Sequence, residues 1–92
     1  MFFTFHQNNS GGFFKGQRYV IVEANSSEEA NEIAQKSGGV YFDGVSKGID
    51  CDCCGNRWTR QYWDDNGTDM PEIYGEAPTP EDDALIILKK LD

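Results

Sequence analysis

The chain has few bases, a single histidine, few prolines and no long apolar run, and each shortage narrows what it can be. Eight Lys and Arg stand against sixteen Asp and Glu, a net charge of −8. Such a surface repels long nucleic acid and anionic membrane, and favours partners with basic surfaces. No apolar stretch approaches the roughly 18 residues of a membrane-spanning helix. Met1-Phe2-Phe3-Thr4-Phe5 is apolar but has neither a basic start nor a cleavage site, so it does not read as a signal peptide. The three cysteines, Cys51, Cys53 and Cys54, are clustered with no distant mate. That is no framework for a secreted mini-protein, and a reducing cytoplasm is expected. His6 lies beside no obvious nucleophile and reads as structural. Gly11-Gly12 has neither the spacing nor the lysine of a phosphate loop. With no catalytic set in view, the expectation is a protein that is not an enzyme.

What is present is enough for a core. Of the 92 residues, 38% are apolar and 13% aromatic, too many for a disordered chain despite the charge. The length suits one domain with a modest interior carried largely by Phe, Tyr and Trp. Acidity is concentrated late. Residues 1–63 hold seven acids and six bases, whereas residues 64–92 hold nine acids against Lys89 and Lys90. Residues 65–83 read as an acidic, loop-rich segment of the same domain.

The residue pattern predicts a strand over Phe2 to Gln7 and a second over Arg18 to Ala24, rich in β-branched and aromatic types. Between them, Asn8 to Gly12 suits a loop. Ser26-Ser27-Glu28-Glu29 opens a helix with a capping box. Ala30, Ile33, Ala34 and Ser37 then share one face, and Gly38-Gly39 end the helix. Val40-Tyr41-Phe42 reads as a short strand closing in an Asp43-Gly44 turn. Arg57 to Trp63 reads as a further strand, with Trp58, Arg60 and Tyr62 on one face and Arg57, Thr59, Gln61 and Trp63 on the other. Asp64 to Asp69 suits a hairpin turn around Asn66-Gly67; it has oxygen ligands at alternate positions but lacks the closing Glu of a calcium loop. Thr79-Pro80-Glu81-Asp82 carries helix-start signals, yet Ala84-Leu85-Ile86-Ile87-Leu88 suits a buried strand, which is the preferred reading. The expected fold is α+β: an antiparallel sheet of four to five strands with one main helix packed on one face.

Two segments carry candidate chemistry. Cys51 and Cys54 have C-x-x-C spacing followed by Gly55, the half-site of a zinc knuckle, and zinc is the one metal the motif would suit. Only Cys53 and His6 remain to complete four ligands, so three reduced cysteines serving as small hydrophobes are the plainer reading and no cofactor is expected. Arg57, Trp58, Arg60, Tyr62 and Trp63 interleave bases with aromatics. Such a stretch fills a core, anchors a protein interface or stacks a base.

Tyr41-Phe42-Asp43-Gly44-Val45 and Cys51-Asp52-Cys53-Cys54-Gly55-Asn56-Arg57-Trp58, following the helix start at Ser26 to Ala30, resemble a family of small uncharacterised bacteriophage proteins. The resemblance covers about residues 18–75. It implies an accessory protein in a bacterial cytoplasm that binds and blocks a host factor, including factors of host defence; no catalytic residues come with it. On this reading Asp43, Arg57, Trp58, Arg60, Trp63, Asp64 and Asp65 are the candidate contacts to a basic host protein, and a homodimer is compatible with the sequence. The alternatives are a sponge for a small nucleotide signal and a zinc-stabilised structural module.

Overall fold

The structure, a computed structural model, describes residues 1–8, 17–50 and 55–88. Among these, three strands form one mixed sheet in the order β1 (Phe2–His6), β2 (Tyr19–Glu23), β3 (Ala84–Ile87). β1 pairs antiparallel with β2, from Phe2 opposite Glu23 to His6 opposite Tyr19. β3 pairs parallel with β2, from Tyr19 opposite Ala84 to Val22 opposite Ile87. A parallel return needs a long crossover, and here it contains α1 (Ser27–Ser37) and everything from Gly38 to Asp83. The expected α+β class therefore holds in outline, with three strands among the described residues and a mixed rather than antiparallel sheet.

Central β2 explains why its sequence is a run of apolar residues rather than an alternation. Val20, Ile21 and Val22 are all fully buried, because a middle strand is covered on both faces. On one face Phe3, Phe5, Val20 and Val22 join Ala30 and Ala34 of α1, with Val40, Phe42 and Trp58 completing the core; Leu85 and Ile87 pack against it. The helix begins as its sequence dictates. Ser26 accepts a hydrogen bond from the Glu29 N–H at 3.1 Å, and Glu29 accepts one from the Asn25 N–H at 3.0 Å. It ends at Gly38, followed by Gly39 at φ 69°, a left-handed position that costs glycine nothing.

The opposite face of the sheet is covered by residues 68–76. Thr68 exchanges two backbone hydrogen bonds with Phe2 at 2.7 and 2.8 Å, and Thr4 Oγ1 donates to the Glu72 carbonyl at 2.6 Å. Ile73, the buried residue of this segment, and Glu76 close a tight turn through Tyr74-Gly75.

Three expected strand features take another form. Val40 to Phe42 is not a strand: Val40 and Phe42 point into the core, and the Val40 N–H is satisfied by the Ala34 carbonyl at 3.2 Å, so no neighbouring strand is required. Arg57 to Trp63 is not one either. Arg57 and Trp58 are consecutive yet both buried, which a flat pleated strand on a surface does not permit. The segment still runs beside β1, held by single bonds: the Asn8 N–H to the Arg57 carbonyl at 2.7 Å and Gln61 Nε2 to the Thr4 carbonyl at 2.8 Å. Asp64 to Asp69 makes no hairpin, because Thr68 pairs with Phe2 rather than with the preceding segment. At the C-terminal end both sequence signals are realised in turn. Asp82 accepts from the Thr79 N–H at 2.7 Å over a single 3-10 turn, Pro80–Asp82, and then Asp83 at φ 53° redirects the chain into β3.

Candidate functional site

The predicted contact residues separate into an interior pair and an exposed set. Arg57 and Trp58 are 3% and 4% exposed, so neither offers a surface to a partner; their place in the contact set is corrected by burial. Trp58 is core, as one reading of the sequence allowed. Arg57 lies along the carboxylate of Asp50, its Nε 3.7 Å from Oδ1, and its Nη1 donates to Gln7 Oε1 at 2.7 Å.

Asp50 is the centre that sequence reasoning missed. Its Oδ1 accepts from the Tyr41 hydroxyl at 2.6 Å and its Oδ2 from the Arg57 N–H at 2.7 Å. Gly44 lies so close that a Cβ there would come within 1.9 Å of Oδ2. Tyr41, Gly44 and Arg57 belong to the two motifs that carry the family resemblance, and this one carboxylate draws them together. Burial, then the hydrogen bond to Asp50, holds the Tyr41 hydroxyl above its ordinary pKa. This enclosed charged pair ties Tyr41, Gly44 and Arg57 together around one carboxylate.

The exposed set clusters around the outer edge of β1. Arg60 pairs with Asp43 at 2.6 Å and lies over the Phe42 ring, its guanidinium carbon 5.3 Å from the centroid. Trp63 is 88% exposed and Tyr62 is 56% exposed. The Asp65 carboxylate accepts from the Tyr62 N–H at 2.6 Å, which bends the chain so that Asp64 and Asp65 face the sheet edge. There they line an open cleft of about 480 Å³ with His6, Gln61, Glu72 and Tyr74. A second cleft of about 440 Å³ adjoins it, sharing Thr4, His6, Gln61 and Asp65 and adding Arg60 and Tyr62. Asp64 and Asp65, singled out from the sequence, line this cleft together with Glu72 and Tyr74, which carried no local signal.

His6 forms one wall of the cleft. Its ring stacks on Tyr74, centroids 4.9 Å apart, and meets Tyr19 edge-on at 5.4 Å. Burial holds its pKa below the ordinary imidazole value, so at neutral pH the ring is an uncharged aromatic surface. Tyr74 itself stands at φ 52° and is 81% exposed. A bulky residue in the left-handed region carries strain of roughly 1–3 kcal/mol that its neighbours must offset.

Cys51 and Cys54 lie outside the described residues. Among the described residues no group of three or more His, Cys, Asp or Glu side chains is gathered as a metal would need. No helix among them is long and apolar enough to cross a membrane. The chain belongs to the family described as a domain of unknown function, DUF7296, which matches residues 1–90. No curated protein and no solved structure matches it.

Proposed function

We propose, from the motif resemblance to small bacteriophage proteins, that the protein is a non-enzymatic bacteriophage accessory protein that binds and inhibits a basic host protein, and that the cleft beside β1 is the contact surface. The observation that carries this reading is the combination of Asp64, Asp65 and Glu72 with the aromatic rings of His6 and Tyr74 around one open cleft. Carboxylates beside exposed aromatic faces suit an arginine or lysine side chain, which gains both charge pairing and a cation–π contact. Exposed Trp63 and Tyr62 flank the acidic turn and supply the large apolar contacts that dominate binding energy at interfaces. Asp43 and Arg60, already paired with one another, form a rim that steers orientation more than affinity. A host cytoplasm and a partner from host defence follow from the phage resemblance and belong to the same proposal.

The nucleotide-sponge alternative draws less support. Of the two arginines it needs, Arg57 is interior and Arg60 is engaged by Asp43, and the clefts are rimmed by carboxylates that repel phosphate. The test is a pull-down from host lysate with three baits: wild type, Trp63→Ala, and Asp64→Lys/Asp65→Lys. A basic protein recovered by wild type and lost with both variants supports the reading. Recovery of the same proteins by all three baits, or of none by wild type, sinks it.

A further inference from the structure

Tyr74 is a poor choice for the turn it occupies. Tyr74 and Gly75 stand at φ 52° and 82° between Ile73 and Glu76, which bridge to each other. Glycine takes such an angle freely and asparagine takes it readily, whereas a bulky ring is strained there. The ring is therefore retained for something other than the turn. One of its faces stacks on His6 at 4.9 Å, and at 81% exposure much of the remainder is open to solvent. Gln61, in the same cleft, is pinned. Its backbone N–H donates to Asn31 Oδ1 at 2.8 Å, its carbonyl accepts from Asn31 Nδ2 at 2.9 Å, and its Nε2 donates to the Thr4 carbonyl at 2.8 Å. A carbonyl only accepts, so the amide can stand only one way round and its Oε1 is left over. Among the described residues nothing donates to that oxygen. The cleft also lacks a cation of its own. Asp64, Asp65 and the half-buried Glu72 line it without a lysine or arginine, and among the described residues none of the three is in an ion pair. Elsewhere the chain fills a like arrangement itself: Arg60 lies over the Phe42 ring at 5.3 Å while pairing with Asp43 at 2.6 Å.

We infer that the cleft receives one arginine side chain of the bound protein and discriminates it from lysine, with the guanidinium laid on the Tyr74 ring, bonded to Gln61 Oε1 and paired with the carboxylates. This rests on the reading of the cleft as the contact surface. The three features of the cleft select the occupant together. Carboxylates alone accept either base. A ring face favours the guanidinium, which is planar, weakly hydrated and stacks, over an ammonium, which is a compact and strongly hydrated point charge. A fixed amide oxygen beside carboxylates asks for several donors spread over one plane, and the guanidinium carries five in a rigid fork. The Arg60 arrangement shows the same chemistry within the chain, a guanidinium held between a ring and a carboxylate. Asn31, on α1, touches only Gln61 in this set and acts through it as a positioning residue.

Titration of the isotope-labelled full chain with N-acetyl-arginine amide, and separately with N-acetyl-lysine amide, tests this by nuclear magnetic resonance. The arginine compound should shift the Gln61 side-chain amide and the Asn66 and Gly75 backbone resonances, with a dissociation constant about tenfold below that of the lysine compound. Tyr74→Asn should abolish the preference. Asparagine suits the left-handed turn, so the backbone is kept while the ring is lost. Glu72→Gln keeps the backbone carbonyl to which Thr4 donates and should weaken both compounds. Equal affinity for the two compounds, shifts confined to residues outside the cleft, a preference unchanged in Tyr74→Asn, or Glu72→Gln without effect would each overturn the inference. The two proposals fail separately. A host protein recovered through the cleft without arginine selectivity sinks this inference alone, and arginine selectivity without a recovered host protein sinks the inhibitor reading alone.

Discussion

Replacing Asp50 with alanine removes a carboxylate that residues of both motifs contact, and the structure allows its cost to be worked out. The Asp50 side chain is 1% exposed and that of its partner Arg57 4% exposed. Without the carboxylate, the Arg57 guanidinium remains buried opposite an empty site, the Arg57 N–H loses its 2.7 Å acceptor and the Tyr41 hydroxyl its 2.6 Å acceptor. Breaking a buried pair from one side costs about 3–5 kcal/mol. A domain of this size holds about 5–15 kcal/mol in total, so the loss is a large fraction of its stability. At roughly 4–8 °C per kcal/mol, Tm should fall by about 12–40 °C. Trp58 is buried and Trp63 exposed, so a Trp63→Phe background leaves Trp58 as the reporter of urea unfolding. The matched control is Asp43→Ala. It breaks the Asp43–Arg60 pair, whose side chains are 50% and 43% exposed, and should cost at most about 1 kcal/mol. If Asp50→Ala costs no more than Asp43→Ala, the carboxylate is not the organising centre of the loop and the reasoning fails.

Gly44→Ala should destabilise by about 3 kcal/mol or more in the same urea titration, because its Cβ would fall 1.9 Å from the Asp50 carboxylate and the loop or the pair must move; a change below about 0.5 kcal/mol would mean the loop is free to adjust. His6 gives an acid-side dependence. Its folded pKa lies below the unfolded value, so the unfolded chain binds the proton first. Stability is therefore full above about pH 6.5 and declines as pH falls through the lowered pKa, a slope that His6→Gln should remove. Tyr41 gives the alkaline counterpart. Its folded pKa is raised, so its contribution is intact below about pH 10 and is lost as pH climbs through the folded value. Tyr41→Phe should flatten that alkaline decline while costing stability at neutral pH, and equal slopes in both proteins would show that Tyr41 does not titrate late.

Local signals were legible where a structure is decided locally. Ser26, Glu29 and the two glycines bound α1 because caps act within one turn, and β2 stood out because a central strand needs apolar residues on both faces. The sheet was misjudged where distant partners decide. β3 pairs parallel with β2 only because the crossover returns the chain in the same direction, and nothing within residues 84–88 records which direction that is. Arg57 to Trp63 has strand composition, yet the edge of β1 is covered by an amide side chain, one carbonyl and a two-bond bridge instead of a ladder. Composition describes which residues suit a pleated surface, and it is silent on whether a continuous partner is present.

The same division explains the site. Asp64 and Asp65 were visible because they are adjacent and belong to an acidic run, whereas Glu72 and Tyr74 reach the cleft only through the fold across the sheet. Asp50 was less visible still: a lone acid in an irregular segment is ordinarily solvated, and its burial depends on Tyr41, Arg57 and the missing side chain of Gly44. Together these relations give the motifs a physical meaning. The aromatic and glycine of the first motif and the arginine of the second are needed because one buried carboxylate requires a hydroxyl, a cation and space at once. Arg57, so engaged, cannot also serve as a binding cation. The surface proposed for binding falls on the next turn of chain, where Tyr62, Trp63, Asp64 and Asp65 are exposed beyond a root buried at Arg57 and Trp58.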